Sequence, residues 1–132
     1  MISVDTSVWI ELLRGRRSPE SLVLRRLISE DEGILLSPIV LMEILLGIKD
    51  ERHLSETEGL LLEFAALELD VPGDFLMAAS LYRKARAAGF TIRSAIDCLI
   101  AASCVRTGTP LLHKDADFDR LAACTPLRVH QV

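Results

Sequence analysis

The chain has 132 residues, of which 50% are hydrophobic, 26% charged and 5% aromatic, and its 15 basic and 19 acidic side chains give a formal net charge of −4. This length predicts one domain with a largely aliphatic core, and the apolar content excludes a mainly disordered chain. The acidic balance argues against a general nucleic-acid-binding protein, because such proteins are usually basic.

The predicted elements alternate short strands with longer helices. The strands cover residues 2–4, 33–36, 67–69, 110–112 and, at an edge, 128–130. The first predicted helix starts at residue 6 or 7 and ends at about 14, and the second starts at residue 19. The others cover residues 38–47, 53–66, 74–88, 95–106 and about 117–123. Side chains that accept from the exposed N–H groups of a first turn predict the helix starts. These are Thr6 or Ser7, Ser18, Ser37, Asp74 and Ser94.

Strands that alternate with helices predict an α/β domain whose parallel sheet is covered by helices on both faces. In such folds the side chains that carry the chemistry lie beyond the carboxyl ends of the strands. Asp5 follows the first predicted strand, and Asp115 comes soon after the strand that ends at residue 112. Both carboxylates are therefore expected at the same edge of the sheet.

No membrane span or secretory leader is expected. The longest apolar stretch, residues 33–48, contains Ser37, Pro38 and Glu43 and is shorter than the roughly 20 residues that a spanning helix needs. Three cysteines without metal-type spacing are typical of reduced thiols in a cytoplasmic protein. The mean hydropathy of +0.33 is high for so short a chain and indicates that a partner or a second copy covers one apolar face.

Three carboxylates stand in apolar surroundings. Asp97 is the only charged residue in the run 95–105, and Glu43 is the only one in 39–46. Asp5 directly follows the apolar first strand. Burying an unpaired carboxylate costs several kcal/mol, and none of these runs contains a basic residue. One such acid is also explained as a cap, a turn residue or an ion-pair partner, but three together favour a shared cation.

Further carboxylates alternate after the last buried strand. Asp115 is predicted to join the shared site, Asp117 is a second candidate or a helix cap, and Asp119 is a solvated helix residue. Carboxylates without Cys or His ligands select hard cations such as Mg²⁺ or Mn²⁺. These ions support phosphodiester hydrolysis and mask the like charge, so that an acidic site can receive a polyanion.

Basic side chains cluster in two places. They are Arg14, Arg16, Arg17, Arg25 and Arg26 in the first group, and Arg83, Lys84, Arg86 and Arg93 in the second. Each group is either a solvated helix face or a contact for the phosphates of a nucleic acid. The sequence leaves both interpretations open.

Other catalytic schemes find little support. The chain has no glycine-rich phosphate loop, dinucleotide fingerprint or nucleophile elbow. A haloacid-type phosphatase would need a second acid two residues after Asp5, where Ser7 stands, and a phosphoryl receiver would need paired acids near the first strand. His113 follows a strand that exits toward the proposed site, so a contact with substrate is one interpretation of it.

Four motifs resemble those of PIN-domain ribonucleases, specifically the VapC toxins of bacterial toxin–antitoxin pairs. They are VDTSVWI at residues 4–10, Glu43 with Gly47, IRSAIDCLIAA at 92–102 and LHKDADF at 112–118. Each motif is weak alone. Together they occur in the order of the family and span residues 4–118, almost the whole chain, which makes the resemblance specific.

The resemblance implies a three-layer α/β/α PIN-like fold with a central parallel sheet, formed by residues 1–132 as a single domain. It implies an endoribonuclease that depends on Mg²⁺ or Mn²⁺ and cleaves tRNA or another structured RNA. The implied catalytic and metal-binding acids are Asp5, Glu43, Asp97 and Asp115, with Asp117 as an additional metal ligand. Thr6 or Ser7 would orient Asp5 through a hydroxyl.

The resemblance also implies partners. The protein would form a homodimer and a hetero-oligomer with a VapB-type antitoxin, whose C-terminal segment blocks the site, and it would act in the cytoplasm and not at a membrane. The alternative is a non-catalytic PIN-like module that binds and regulates a partner. The presence of all four acids argues against that alternative.

Overall fold

A computed structural model describes all 132 residues. The strands are β1 (Ile2–Val4), β2 (Ile34–Leu36), β3 (Ala65–Ala66) and β4 (Leu111–Leu112). The helices are α1 (Thr6–Leu13), α2 (Pro19–Ser29), α3 (Pro38–Leu46), α4 (Glu51–Leu61), α5 (Gly73–Ala87), α6 (Ala95–Thr107) and α7 (Ala116–Cys124). None of these helices is both long enough and apolar enough to cross a membrane.

The four strands form one sheet in the order β3-β2-β1-β4, and every pairing is parallel. The chain adds β2 and β3 on one side of β1 and then returns to place β4 on the other side. The direction of winding therefore reverses between β1 and β4, and a crevice at the carboxyl ends of these two strands is the usual ligand site of such a sheet. This confirms the predicted parallel sheet and identifies the edge that matters.

Two groups of helices cover the sheet. In the first group α1 packs on α2 and α3, and α3 packs on α4; in the second group α5 packs on α6 and α7. Because the crossovers to β2 and β3 run opposite to the crossover that reaches β4, right-handed connections place the two groups on opposite faces. The result is the predicted α/β/α arrangement, with a continuous core that includes Val4, Trp9, Ile100 and Phe118.

Three of the predicted helix starts are confirmed. The hydroxyls of Ser18, Ser37 and Ser94 accept hydrogen bonds from backbone N–H groups in the first turns of α2, α3 and α6. The predicted cap of α1 is wrong. Asp5 is the N-cap, and its carboxylate accepts from the N–H of Ser7, because a carboxylate one residue earlier reaches the same donors as the predicted hydroxyls.

The predicted role of Asp74 as a cap is also wrong. Asp74 lies within α5, where its carboxylate accepts from the backbone N–H of Asp70 and from the guanidinium of Arg106 on α6. A fully buried acid is better stabilised by a cation than by helix N–H groups alone. This ion pair ties α5 to α6.

Several predicted boundaries shift. Helix α4 covers Glu51–Leu61 instead of 53–66, and β3 lies at Ala65–Ala66 instead of 67–69. The predicted last strand is reduced to a single parallel bridge between Leu111 and Val129. Helix α7 begins at Ala116 with Asp115 as its N-cap, so Asp117 is not the cap.

Candidate active site

Five carboxylates predicted from the sequence meet at the carboxyl edge of the sheet. Asp5 follows β1, Asp115 and Asp117 follow β4, Glu43 lies on α3 and Asp97 lies in the first turn of α6. Carboxylate oxygens of Asp97, Asp115 and Asp117 lie within 4.8 Å of one another. Asp5 and Glu43 stand outside this tight group, but their charges act on Asp97.

Asp97 is at the centre of the cluster. Its carboxylate accepts no hydrogen bond from the protein, whereas each of the other four acids accepts at least one. Burial, together with the charges of Asp5, Asp115, Glu43 and Asp117, raises its pKa to about 7. An acid without donors among four like charges is unfavourable unless a cation joins it.

Asp5 is held by Ser7. Its Oδ2 accepts from the Ser7 hydroxyl at 2.6 Å and from the Ser7 backbone N–H at 3.1 Å. The same hydroxyl accepts from the backbone N–H of Lys114, which connects the first turn of α1 to the segment after β4. Burial raises the pKa of Asp5, and the hydrogen bonds from Ser7 oppose that rise.

Glu43 is held by Thr6. The Thr6 hydroxyl donates to Glu43 Oε1 at 2.8 Å across 37 residues of sequence. The two hydroxyls therefore have separate tasks: Ser7 orients Asp5, and Thr6 orients Glu43. The sequence suggested either of them for Asp5, because it does not show which side chain of α3 faces α1.

Asp115 and Asp117 share a cation, Arg93. Asp115 Oδ1 accepts from Arg93 Nη2 at 3.2 Å and from the N–H of Asp117 at 2.9 Å. Asp117 Oδ2 accepts from the backbone N–H and Nε of Arg93, and its Oδ1 accepts from Arg120 Nη1 at 2.6 Å. Burial alone would raise the pKa of Asp117, but these donors outweigh it and hold the pKa below its ordinary value.

His113 supports the loop that carries Asp115. Its Nδ1 accepts from the backbone N–H of Asp115, its Nε2 lies 3.1 Å from Asp119 Oδ1, and its ring packs on Phe118. Both ring nitrogens are thus engaged within the protein. This arrangement favours a role in positioning Asp115 over the contact with substrate that the sequence suggested.

The donor set fits a hard cation. Hydrogen bonds reach only one oxygen each of Asp5, Glu43 and Asp115, and neither oxygen of Asp97. Cys98 is the nearest soft atom in sequence, but burial and the neighbouring acids raise the pKa of its thiol to about 11, so it stays protonated. Oxygen ligands with available lone pairs suit Mg²⁺ or Mn²⁺.

Residues 2–123 match the family model of the PIN domain. The chain belongs to the PIN-domain family. This match covers nearly the whole chain and decides against the phosphatase and receiver folds. It also agrees with the four sequence motifs, since all of them lie within the matched range.

Among named relatives, this PIN domain is 43% identical over 129 residues to Ribonuclease VapC11 of Mycobacterium tuberculosis H37Rv and to VapC ribonuclease Mb1587 of Mycobacterium bovis. In both comparisons the alignment covers 97% of this chain and 96% of the relative. Identity at this level over nearly the whole length of both chains places the chain among the VapC ribonucleases.

Solved structures show the same fold at lower identity. FitAcB from Neisseria gonorrhoeae matches with a TM-score of 0.73 and 21% identity, covering 99% of this chain and 97% of that one. DNA-bound VapBC from Salmonella typhimurium matches with a TM-score of 0.75 and 19% identity, covering 98% of both chains. These neighbours show that the chain shares its fold with them over nearly all of its length.

Two residues of this PIN domain acquire roles that sequence reasoning missed. Arg93 was one member of a basic cluster, and Arg120 was not singled out at all. Arg93 is 24 residues from Asp117 in the sequence, and only the sheet brings them together. The one available signal was the position of Arg93 next to the Ser94 cap of α6, which fixes it near Asp97.

Proposed function

We propose that this PIN domain, formed by residues 1–132 as a single unit, is an Mg²⁺- or Mn²⁺-dependent endoribonuclease. One observation carries the proposal: the Asp97 carboxylate lacks any hydrogen-bond donor and lies among four other acids, with a pKa of about 7. A purely structural acid would have a donor or a cation. The 43% identity to proteins named as ribonucleases supports the same activity.

The proposed metal ligands are Asp5, Glu43, Asp97 and Asp115, because each of them has at least one oxygen without a hydrogen bond. Asp117 is the weakest candidate, since both of its oxygens already accept from arginines. A bound divalent ion supplies Lewis-acid stabilisation of phosphate oxygens and lowers the pKa of water.

Hydrogen bonds within the protein hold the carboxylates of the site in position. Ser7 and Thr6 fix the carboxylates of Asp5 and Glu43, and the hydrogen bond by which Asp115 caps α7 fixes that side chain at the start of the helix. Hydrogen bonds of this kind orient a ligand and limit its rotamers, so that less order has to be imposed when metal and RNA bind. The site is therefore largely organised before it meets its substrate.

Partners follow from the family. We propose a homodimer, a VapB-type antitoxin that covers the acidic site, and tRNA or another structured RNA as substrate, all in the cytoplasm. The neighbours named VapBC support the antitoxin, because they were solved as complexes. Exposed apolar side chains such as Leu46 and Leu76 support burial by other chains.

The direct test uses purified protein free of any partner. It is incubated with total RNA in Mg²⁺, Mn²⁺ or EDTA, and new 5′ ends are mapped. Discrete ends that require metal are expected from the wild type. Asp97→Asn should lower their yield by at least about 100-fold, because it removes a charge from the centre of the site.

Glu30→Gln is the matched control. It also replaces an acid by an amide, but Glu30 is exposed and pairs only with Arg26 at the end of α2. Cleavage by this variant should equal that of the wild type. Undiminished cleavage by Asp97→Asn would overturn the proposal, and RNA binding without any cleavage would favour the non-catalytic module.

A further inference from the structure

Asp117 forms ion pairs with two arginines beside the acid cluster. Its side chain is 1% exposed, yet those of its partners Arg93 and Arg120 are 74% and 45% exposed. A buried, ionised carboxylate is costly, and here both of its oxygens are used to hold long cationic side chains that reach the surface. The main role of Asp117 is therefore to orient the two guanidinium groups, and not to pack in the core.

Arg93 is held in place by two acids and still has N–H groups that are free to donate. Its Nε binds Asp117 and its Nη2 binds Asp115, so the guanidinium lies against the cluster in one orientation. A guanidinium carries five N–H donors, and these two bonds use two of them, which leaves three. Those three belong to the exposed end of the side chain.

Arg93 is also the basic side chain that forms the most ion pairs with the acid cluster. Asp115 and Asp117 are the only site acids that form ion pairs, and Arg93 is the partner that they share. An RNA backbone that approaches this site meets five acids on a chain of net charge −4. Binding a polyanion there calls for a cation at the edge of the acids.

We propose that Arg93 is an RNA-binding residue of this site, oriented by the buried Asp117, and that it holds a backbone phosphate next to the acid cluster. This inference rests on the proposed ribonuclease function and adds a specific contact to it. Arginine suits the task because its planar fork binds two carboxylates on one side and a phosphate on the other. Asp117 is then a positioning residue.

The test measures RNA binding separately from cleavage. In an Asp97→Asn background, filter binding with bulk tRNA is followed from about 50 to 200 mM KCl, in EDTA and in Mg²⁺. Arg93→Gln should weaken binding about tenfold, as expected for one charge-assisted hydrogen bond. It should also reduce the slope of log affinity against log salt by about 0.7 to 0.9, the value for one phosphate contact.

Two further variants sharpen the result. Arg93→Lys keeps the charge but loses the fork, so it should retain the salt slope with an intermediate affinity. Arg52→Gln removes an exposed arginine that pairs with Glu56 on α4 and has no site acid as partner, so it should change affinity less than about twofold. Thermal melting shows that each variant is folded.

Two outcomes would overturn the inference. In one, Arg93→Gln matches Arg52→Gln in both affinity and salt slope. In the other, it leaves tRNA affinity unchanged in EDTA and raises it only in Mg²⁺, as expected if Arg93 only neutralises the acids. Wild-type cleavage of total RNA, measured in parallel, separates this failure from failure of the ribonuclease proposal.

Discussion

At the scale of single residues, the strongest sequence signal was a charge in the wrong surroundings. Asp97 was identified because it is the only charged residue in the apolar run 95–105, and the structure places it among the other four acids. Asp117 was predicted only as an additional metal ligand or a helix cap, and its carboxylate instead binds Arg93 and Arg120. Sequence locates an acid near a site but does not show whether its oxygens are already used.

The raised pKa of Asp97 predicts a pH dependence of stability. The folded protein holds this proton more tightly than the unfolded chain, whose carboxyl has an ordinary pKa of 3.8. The stabilising contribution is therefore complete below about pH 4 and is lost as pH rises toward 7. In EDTA, the melting temperature of Asp97→Asn should rise relative to that of the wild type over this range.

Metal should reverse the difference between the two proteins. Mg²⁺ added at pH 8 should raise the melting temperature of the wild type more than that of Asp97→Asn, since binding to the folded state stabilises it. Melting curves recorded at several pH values with and without Mg²⁺ check both parts. Parallel pH profiles for the two proteins would show that Asp97 carries no such shift.

At the scale of helices and strands, the neighbouring sequence was sufficient to predict a helix cap whose donor and acceptor lie close together in the chain. Ser18, Ser37 and Ser94 cap the helices that they were expected to cap, because each hydroxyl oxygen and the backbone N–H that donates to it lie within three residues of each other. Asp74 looked similar but binds Arg106, which is 32 residues away. A tertiary partner of this kind cannot be found from the neighbouring sequence.

The pair of Asp74 and Arg106 should matter for stability. Asp74 is fully buried, and Arg106 also donates to the backbone carbonyl of Glu68. Asp74→Ala leaves a guanidinium and the N–H of Asp70 without their acceptor, so the free energy of unfolding should fall by about 3 kcal/mol. Urea denaturation measures this loss.

The control for that change is Glu56→Ala. Glu56 pairs with Arg52 on α4, and both side chains are largely exposed. Exposed pairs of this type contribute less than about 0.5 kcal/mol, so the midpoint of denaturation should hardly move. If the two substitutions cost the same, the pair between α5 and α6 is not a structural clamp.

At the scale of the whole molecule, the alternation of strands and helices predicted a parallel sheet covered by helices on both faces. The positions of Asp5 and Asp115 after predicted strands indicated which edge of that sheet is used. The order β3-β2-β1-β4 was not predicted, since periodicity says which segments are strands but not which strands are neighbours. That order places Asp5 and Asp115 on adjacent strands and thereby creates the site.

The proposed homodimer has a specific candidate surface. A cleft of about 540 Å³ between α5 and α6 is lined by Phe75, Tyr82, Ile96 and Leu99, and Phe75 is 48% exposed. Light scattering should give twice the chain mass of 14.6 kDa for the wild type, and Phe75→Arg should give the single mass. Leu62→Arg, an exposed apolar residue beyond α4, should remain dimeric; a dimeric Phe75→Arg would place the interface elsewhere.

The most direct test of the central proposal is a crystal of the protein soaked with Mn²⁺ and measured for anomalous scattering. A peak within bonding distance of Asp97 and of at least one of Asp5, Glu43 and Asp115 is expected, and it should be absent from Asp97→Asn. No peak at these carboxylates, or the same peak in Asp97→Asn, would contradict the assignment of the acid cluster as the metal-dependent centre for RNA cleavage.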